Sequence, residues 1–242
     1  MSYNTSNPIL SVKNFEHSGG KMATTLNGVI NRCLILLAMV MFSAVFAWRS
    51  KYISVEALSS KLTLFAIAGL IAAIVTVVKK EWSWCTAPLY AILEGLVLGS
   101  ISKIFELRYH GIVFQAVALT FGTAAGMLLL YKYNVITVTD KFRAIVTTAT
   151  FGIAIVYFVG WILSLFGGGT FMHSGGVVGL LFSLFVVTIA ALNLLLDFDL
   201  IAKVSNRGLP SYMGWFAAFG LMVTLIWLYL EILRMLSKMR ER

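Results

Sequence analysis

The chain has 242 residues, of which 60% are hydrophobic and only 12% charged, and its mean hydropathy is +0.90. A soluble globular domain carries roughly 25% charged residues, so the composition excludes one and leaves a protein whose solvent is a bilayer. The formal charge of +9 does not argue for nucleic acid, because the basic residues stand singly or in pairs between apolar runs, where they anchor to headgroups.

Residues 1–24 form a polar tail with Asn4, Asn7, Lys13, Glu16, His17 and Lys21. It lacks the apolar centre and small-residue cleavage pattern of a signal peptide, so the first span is expected to serve as the insertion signal. Windows of about 19 residues predict spans near 25–48, 61–78, 85–106, 110–131, 143–166, 176–203 and 212–236. The expected organisation is therefore an N-terminal tail (1–24), a seven-helix transmembrane domain (25–237) and a short basic C-terminal tail (238–242).

Aromatic residues at Trp48, Tyr52, Trp82, Trp84, Tyr90, Tyr109, Tyr131, Tyr133, Trp161, Tyr212 and Trp215 mark the span ends as interfacial belts. Gly95 and Gly99, and Gly122, Ala125 and Gly126, are expected to let neighbouring backbones approach closely. The run Gly167–Gly176, with His173 inside it, reads as a turn. Cys33 and Cys85 have no CxxC spacing and no nearby histidine, and read as small apolar packers. The basic residues outside the spans divide nine against nine between the two faces, so they choose no orientation.

Ionisable residues at membrane depth are functional candidates by default, since a bare charge in hydrocarbon costs several kcal/mol. Glu94 lies well inside the third span beside Gly95, and reads either as a structural hydrogen-bonding group or as part of an ion or proton path. Asp197 and Asp199 lie late in the sixth span and point roughly 200° apart on a regular helix. Asp197 shares a face with Asn193, and Asp199 with Lys203, which suggests a helix-end ion pair for the latter. Arg32 lies in the first span, either snorkelling to the interface or acting as a counter-ion. Glu231 has Arg234 three residues on and reads as a pair near the opposite face. Counting in from the N-terminal side places Arg32, Glu94 and Asp197 at one level, roughly 9 to 13 Å deep. Two carboxylates and an arginine there would make a proton-sensitive site, because neighbouring carboxylates compete for one proton.

Three segments, in order, resemble the Bax-inhibitor (transmembrane Bax-inhibitor-motif) family, its bacterial branch in particular. They are Tyr90–Gly95 with Leu98–Ser102 in the third span, Asp197–Ile201 in the sixth, and Leu228–Leu236 in the last, within a resemblance covering roughly residues 20–237. The resemblance implies an all-α bundle whose last helix is central, a multi-pass location in the bacterial cytoplasmic membrane with the N-terminus inside, and a pH-dependent calcium leak. It also implies an aspartate pair, one on each of the last two helices, as the proton sensor. Asp197 matches the first member. The second falls on Thr224, which does not ionise, so that either Glu94 or Asp199 substitutes in the latch or calcium conduction is lost in this branch.

The function expected is a proton-gated calcium or cation leak with no cofactor, calcium being a transported ion and the lipid bilayer the obligate surrounding. The alternative is a regulatory protein that binds or inhibits a membrane partner, such as a quality-control protease, through its N-terminal tail. An enzyme is not expected: there is no GxSxG, no HExxH and no paired intramembrane aspartyl motif. A retinal protein fails for want of a lysine between residues 212 and 236.

Overall fold

The computed structural model describes residues 24–49, 55–166 and 176–241. They form seven helices: α1 (Leu26–Arg49), α2 (Val55–Val78), α3 (Ser83–Arg108), α4 (Ile112–Lys132), α5 (Asp140–Leu165), α6 (Val177–Asn206) and α7 (Ser211–Arg240), with a short 3₁₀ turn, Lys80–Trp82, before α3. Six are long and apolar enough to cross a membrane, and in α2 the apolar stretch is Leu62–Val78. The chain is thus an all-α, multi-pass integral membrane protein. The glycine-rich run at 167–175 and most of the N-terminal tail lie outside the described residues.

The outer surface is what a bilayer requires and water would forbid. Phe42, Phe114, Phe151 and Ile145 are among many large apolar side chains left open. Trp82, Trp84, Tyr133 and Trp161 are also exposed near helix ends, and Lys79 sits 4.5 Å over the Trp82 ring. Tyr90 is an exception among the aromatics expected at the interface: it is buried, with its ring edge-on to Phe219 at 5.2 Å. It belongs to the core because it lies on the face that α3 turns to α7.

The last helix is the most enclosed of the seven. Ala217, Ala218 and Leu228 on it are wholly buried, and it packs against α1, α3, α4 and α6. It also runs on to Arg240 and buries Lys238, which the sequence reading had assigned to a tail. Around it α2 leans mainly on α3, and α5 on α6. The chain is tied at the end where α1 and α3 begin. Thr24 bonds the carbonyls of Leu209 (2.9 Å) and Pro210 (3.1 Å), and Ser83 Oγ donates to Tyr212 O at 2.7 Å.

Gly95 and Gly99 account for the close packing of α1 on α3. A Cβ at Gly99 would collide with the backbone carbonyl of Ala44, and one at Gly95 with Ser43 and the Val40 carbonyl. Gly122 and Gly126 do not act this way: nothing lies within 4 Å of where their Cβ atoms would be, so they face outward. Gly99→Val should therefore push α1 from α3 and cost about 3 kcal/mol, whereas Gly122→Ala should leave the thermal midpoint in detergent unchanged or slightly raised. Equal midpoints for the two variants would contradict this packing.

The helix α5 is lipid-facing over most of its surface, yet three polar contacts hold it to the core. Arg143 pairs with Asp199, Thr150 Oγ1 accepts from Asn193 Nδ2 at 2.8 Å, and Tyr157 donates to Glu231 Oε2 at 2.9 Å. The α5 members of these contacts recur every seven residues, on one face of the helix. Its start is capped by Thr139, whose hydroxyl accepts from Phe142 N at 3.1 Å.

Candidate functional site

Asp197 projects from α6 into the space between α6, α7 and α1. Two small residues of α7 admit it. Gly220 lies under the carboxylate, where a Cβ would stand 3.4 Å from Oδ1, and Thr224, one turn on, sets its hydroxyl beside it. Oδ2 is buried with no hydrogen-bond partner among the described residues. On α1, the buried Cys33 thiol is near enough to feel the Asp197 charge. A carboxylate with an oxygen buried and unsatisfied is costly, and sites of that kind bind protons or cations.

Thr224 is thus the residue that faces Asp197 across the helix interface, at the position where the family resemblance calls for a second acid. Its hydroxyl can hold the first carboxylate but cannot exchange a proton with it near neutral pH.

The other candidates are not gathered around Asp197. Glu94 is half-buried and faces α2, where a Cβ at Gly69 would lie 3.3 Å from its Oε2. Arg32 reaches Ser211 Oγ at 2.7 Å, lies 5.7 Å from the centroid of the Trp215 ring, and rests its Nη1 on Gly214. That Nη1 is buried without a hydrogen-bond partner. Among the described residues no ion pair joins Arg32 to Glu94 or Asp197. The common level expected from the sequence counts Cα depth, but an arginine stem carries its charge several ångströms further. Here it carries the charge to the first turn of α7, where Gly214 is about 9 Å of helix rise from Gly220. The guanidinium ties the start of α7 to α1 and does not neutralise Asp197.

Asp199 points the other way, as its spacing from Asp197 implies. It pairs with Lys203 Nζ at 2.7 Å and with Arg143 of α5. With both cations in place it fastens two helices and offers no open ligand position.

A second buried acid was not foreseen as such. Glu231 is 1% exposed and accepts from Tyr157 Oη at 2.9 Å, Arg234 Nη1 at 3.0 Å and Trp227 Nε1 at 3.3 Å. The Arg234 guanidinium also lies 5.2 Å from the centroid of the Tyr157 ring. The i,i+3 spacing to Arg234 signalled the pair, but nothing local signalled that α5 would close over it.

The charges outside the spans decorate the rims: Tyr109 Oη donates to Glu241 Oε1 at 2.9 Å, and Arg240 reaches the His110 carbonyl at 2.7 Å. Among the described residues no group of three metal-ligating side chains occurs.

Comparison with known proteins agrees with this architecture. A family model described as Bax inhibitor 1 like matches residues 7–241. Searches of curated proteins and of solved structures gave no match. The family match takes in every described helix and both buried acids, and the chain belongs to the Bax inhibitor 1 like family.

Proposed function

We propose that the protein is a pH-sensitive leak for calcium or other cations in a bacterial cytoplasmic membrane, its N-terminus inside, with Asp197 as the titrating centre. The observation that carries this reading is the unpartnered Oδ2 of Asp197, buried at the junction of α6, α7 and α1. An ionised carboxylate there attracts a cation; a protonated one removes that attraction and lets the junction close or repack. Thr224 orients the carboxylate. Glu94, on the α2 side of α3, is a further acid that a path through the bundle would pass.

The test is calcium flux into liposomes carrying the purified full chain, at pH 6, 7 and 8, for wild type and Asp197→Asn. Asparagine keeps the Thr224 contact and removes the titration, so flux should vary with pH in the wild type and be flat in the variant. Absence of flux above empty liposomes at every pH would overturn the leak. The regulatory reading, in which residues 1–24 bind a membrane partner such as a quality-control protease, would then take its place.

A further inference from the structure

Between α1 and α4 the bundle is open to the side. Both helices pack on α7, but they make little direct contact with each other, and a cleft of about 180 Å³ separates them. Ile226 and Tyr229 of α7 lie at its floor, Ala44 of α1 and Val117 of α4 on its walls, and the exposed Met41 and Phe121 at its lips. The hydroxyls that reach it are already hydrogen-bonded: Ser102 Oγ and Tyr229 Oη share a bond of 2.6 Å, and Thr120 Oγ1 donates to Ala116 O at 2.7 Å. An apolar occupant therefore strips no hydroxyl of its partner.

The dimensions of the cleft are those of one leaflet. On α1 its lining runs from Leu37 to Trp48, about 16 Å of helix rise, and half of a hydrocarbon core is about 15 Å deep. Its outer end lies on the face where α1 ends and α4 begins. Trp48 stands there at the height of an interfacial aromatic. Arg49, the last residue of α1, is exposed and has no ion pair among the described residues. The cleft thus starts beside a cation at headgroup level and ends near the middle of the membrane. An apolar cavity of about 150 Å³ already holds a benzene-sized molecule. Spread over a leaflet's depth, the space here is far narrower than a helix, which measures about 10–12 Å across with its side chains.

The geometry points to a phospholipid site: one acyl chain lies in the cleft between α1 and α4, along α7, with its phosphate at Arg49. The chain supplies the dispersion contacts that the two helices do not give each other, and the arginine selects a lipid with an anionic headgroup. The site uses neither Asp197 nor any ion movement, so it stands whether or not the chain conducts.

The test is native mass spectrometry of the purified full chain in detergent with palmitoyl-oleoyl phosphatidylglycerol added, read on species that elute as folded monomer. Wild type should keep one lipid per chain at collision energies that strip the rest. Val117→Trp fills the cleft from α4 and Ala44→Leu from α1, and each should weaken retention about tenfold. Leu119→Trp, two residues on and exposed, should leave it unchanged. Arg49→Gln should weaken it by a smaller factor, and glycerol phosphate, which has the headgroup charge and no chain, should displace nothing. The same lipid should raise the thermal midpoint of delipidated wild type by several degrees and barely move that of Val117→Trp. Equal retention in Val117→Trp, Ala44→Leu and Leu119→Trp would overturn the site. An adduct with the mass of a second chain in place of the lipid would also overturn it, by making the cleft a contact between copies.

Discussion

Replacing Arg234 by leucine is expected to destabilise the bundle by about 3 kcal/mol, one of the two largest effects on this chain. The substitution leaves Glu231, 1% exposed, without its only cationic partner among the described residues. Tyr157 and Trp227 still donate to the carboxylate, which holds the loss below the upper end of what breaking a buried pair costs. The same argument predicts a rescue. Combining Arg234→Leu with Glu231→Leu removes the charge together with its partner, and the double variant should recover more than half of the loss, since an apolar pair is at home in the interior of a span. Thermal unfolding in detergent for the four members of this cycle checks both statements. Additive losses in the double variant would mean that the two side chains do not act on each other.

Thr224→Asp is the second large effect, and its sign depends on pH. The new carboxylate lies against Asp197, whose Oδ2 already lacks a partner. Arg32 is held at the start of α7 by Ser211 and Trp215 and does not reach the pair. Two carboxylates that close share one proton, so the folded variant binds more protons than its unfolded chain. Stability then falls as pH rises wherever the native state holds the extra proton. The variant should approach wild-type stability near pH 5 and lose several kcal/mol by pH 8. Detergent melts across that range read the effect directly. A melting curve for Thr224→Asp that stays parallel to the wild type at every pH would mean that position 224 does not face Asp197.

The parts of the structure legible in the sequence are those that depend on one helix at a time. Span positions follow from runs of apolar residues, and the Asp199–Lys203 pair follows from i,i+4 spacing. The close approach at Gly95 and Gly99 was legible because a glycine pair at four-residue spacing makes a groove. The same reasoning failed at Gly122 and Gly126: a groove in a span can face lipid as easily as a helix, and only the neighbours decide. The site suffered the same limit. Depth along the axis was readable for Asp197 and Glu94, but azimuth was not, so nothing foretold that Glu94 would face Gly69 while Asp197 faces Gly220. Of the two readings of Arg32, snorkelling towards the helix end agrees with its contacts and the counter-ion role does not, because its charge is six bonds from its backbone. Glu231 looked peripheral because its span was expected to end near residue 236. The helix in fact continues to Arg240, and Tyr157, 74 positions earlier in the chain, completes its shell.

The three polar contacts of α5 bear on the order in which the chain enters the membrane. Hydrocarbon offers a greasy helix as good a surrounding as another greasy helix does, so α5 gains little from its apolar faces by leaving lipid for protein. Arg143, Thr150 and Tyr157 find their partners on Asp199, Asn193 and Glu231, all of which are synthesised later. Until α6 is inserted, α5 has no reason to adopt one rotation about its axis over another, and until α7 follows, its third contact cannot form. Its final setting is decided from behind, by chain that does not yet exist when α5 first crosses, and a nascent protein halted before Asn193 would hold α5 as an unassigned helix in the bilayer.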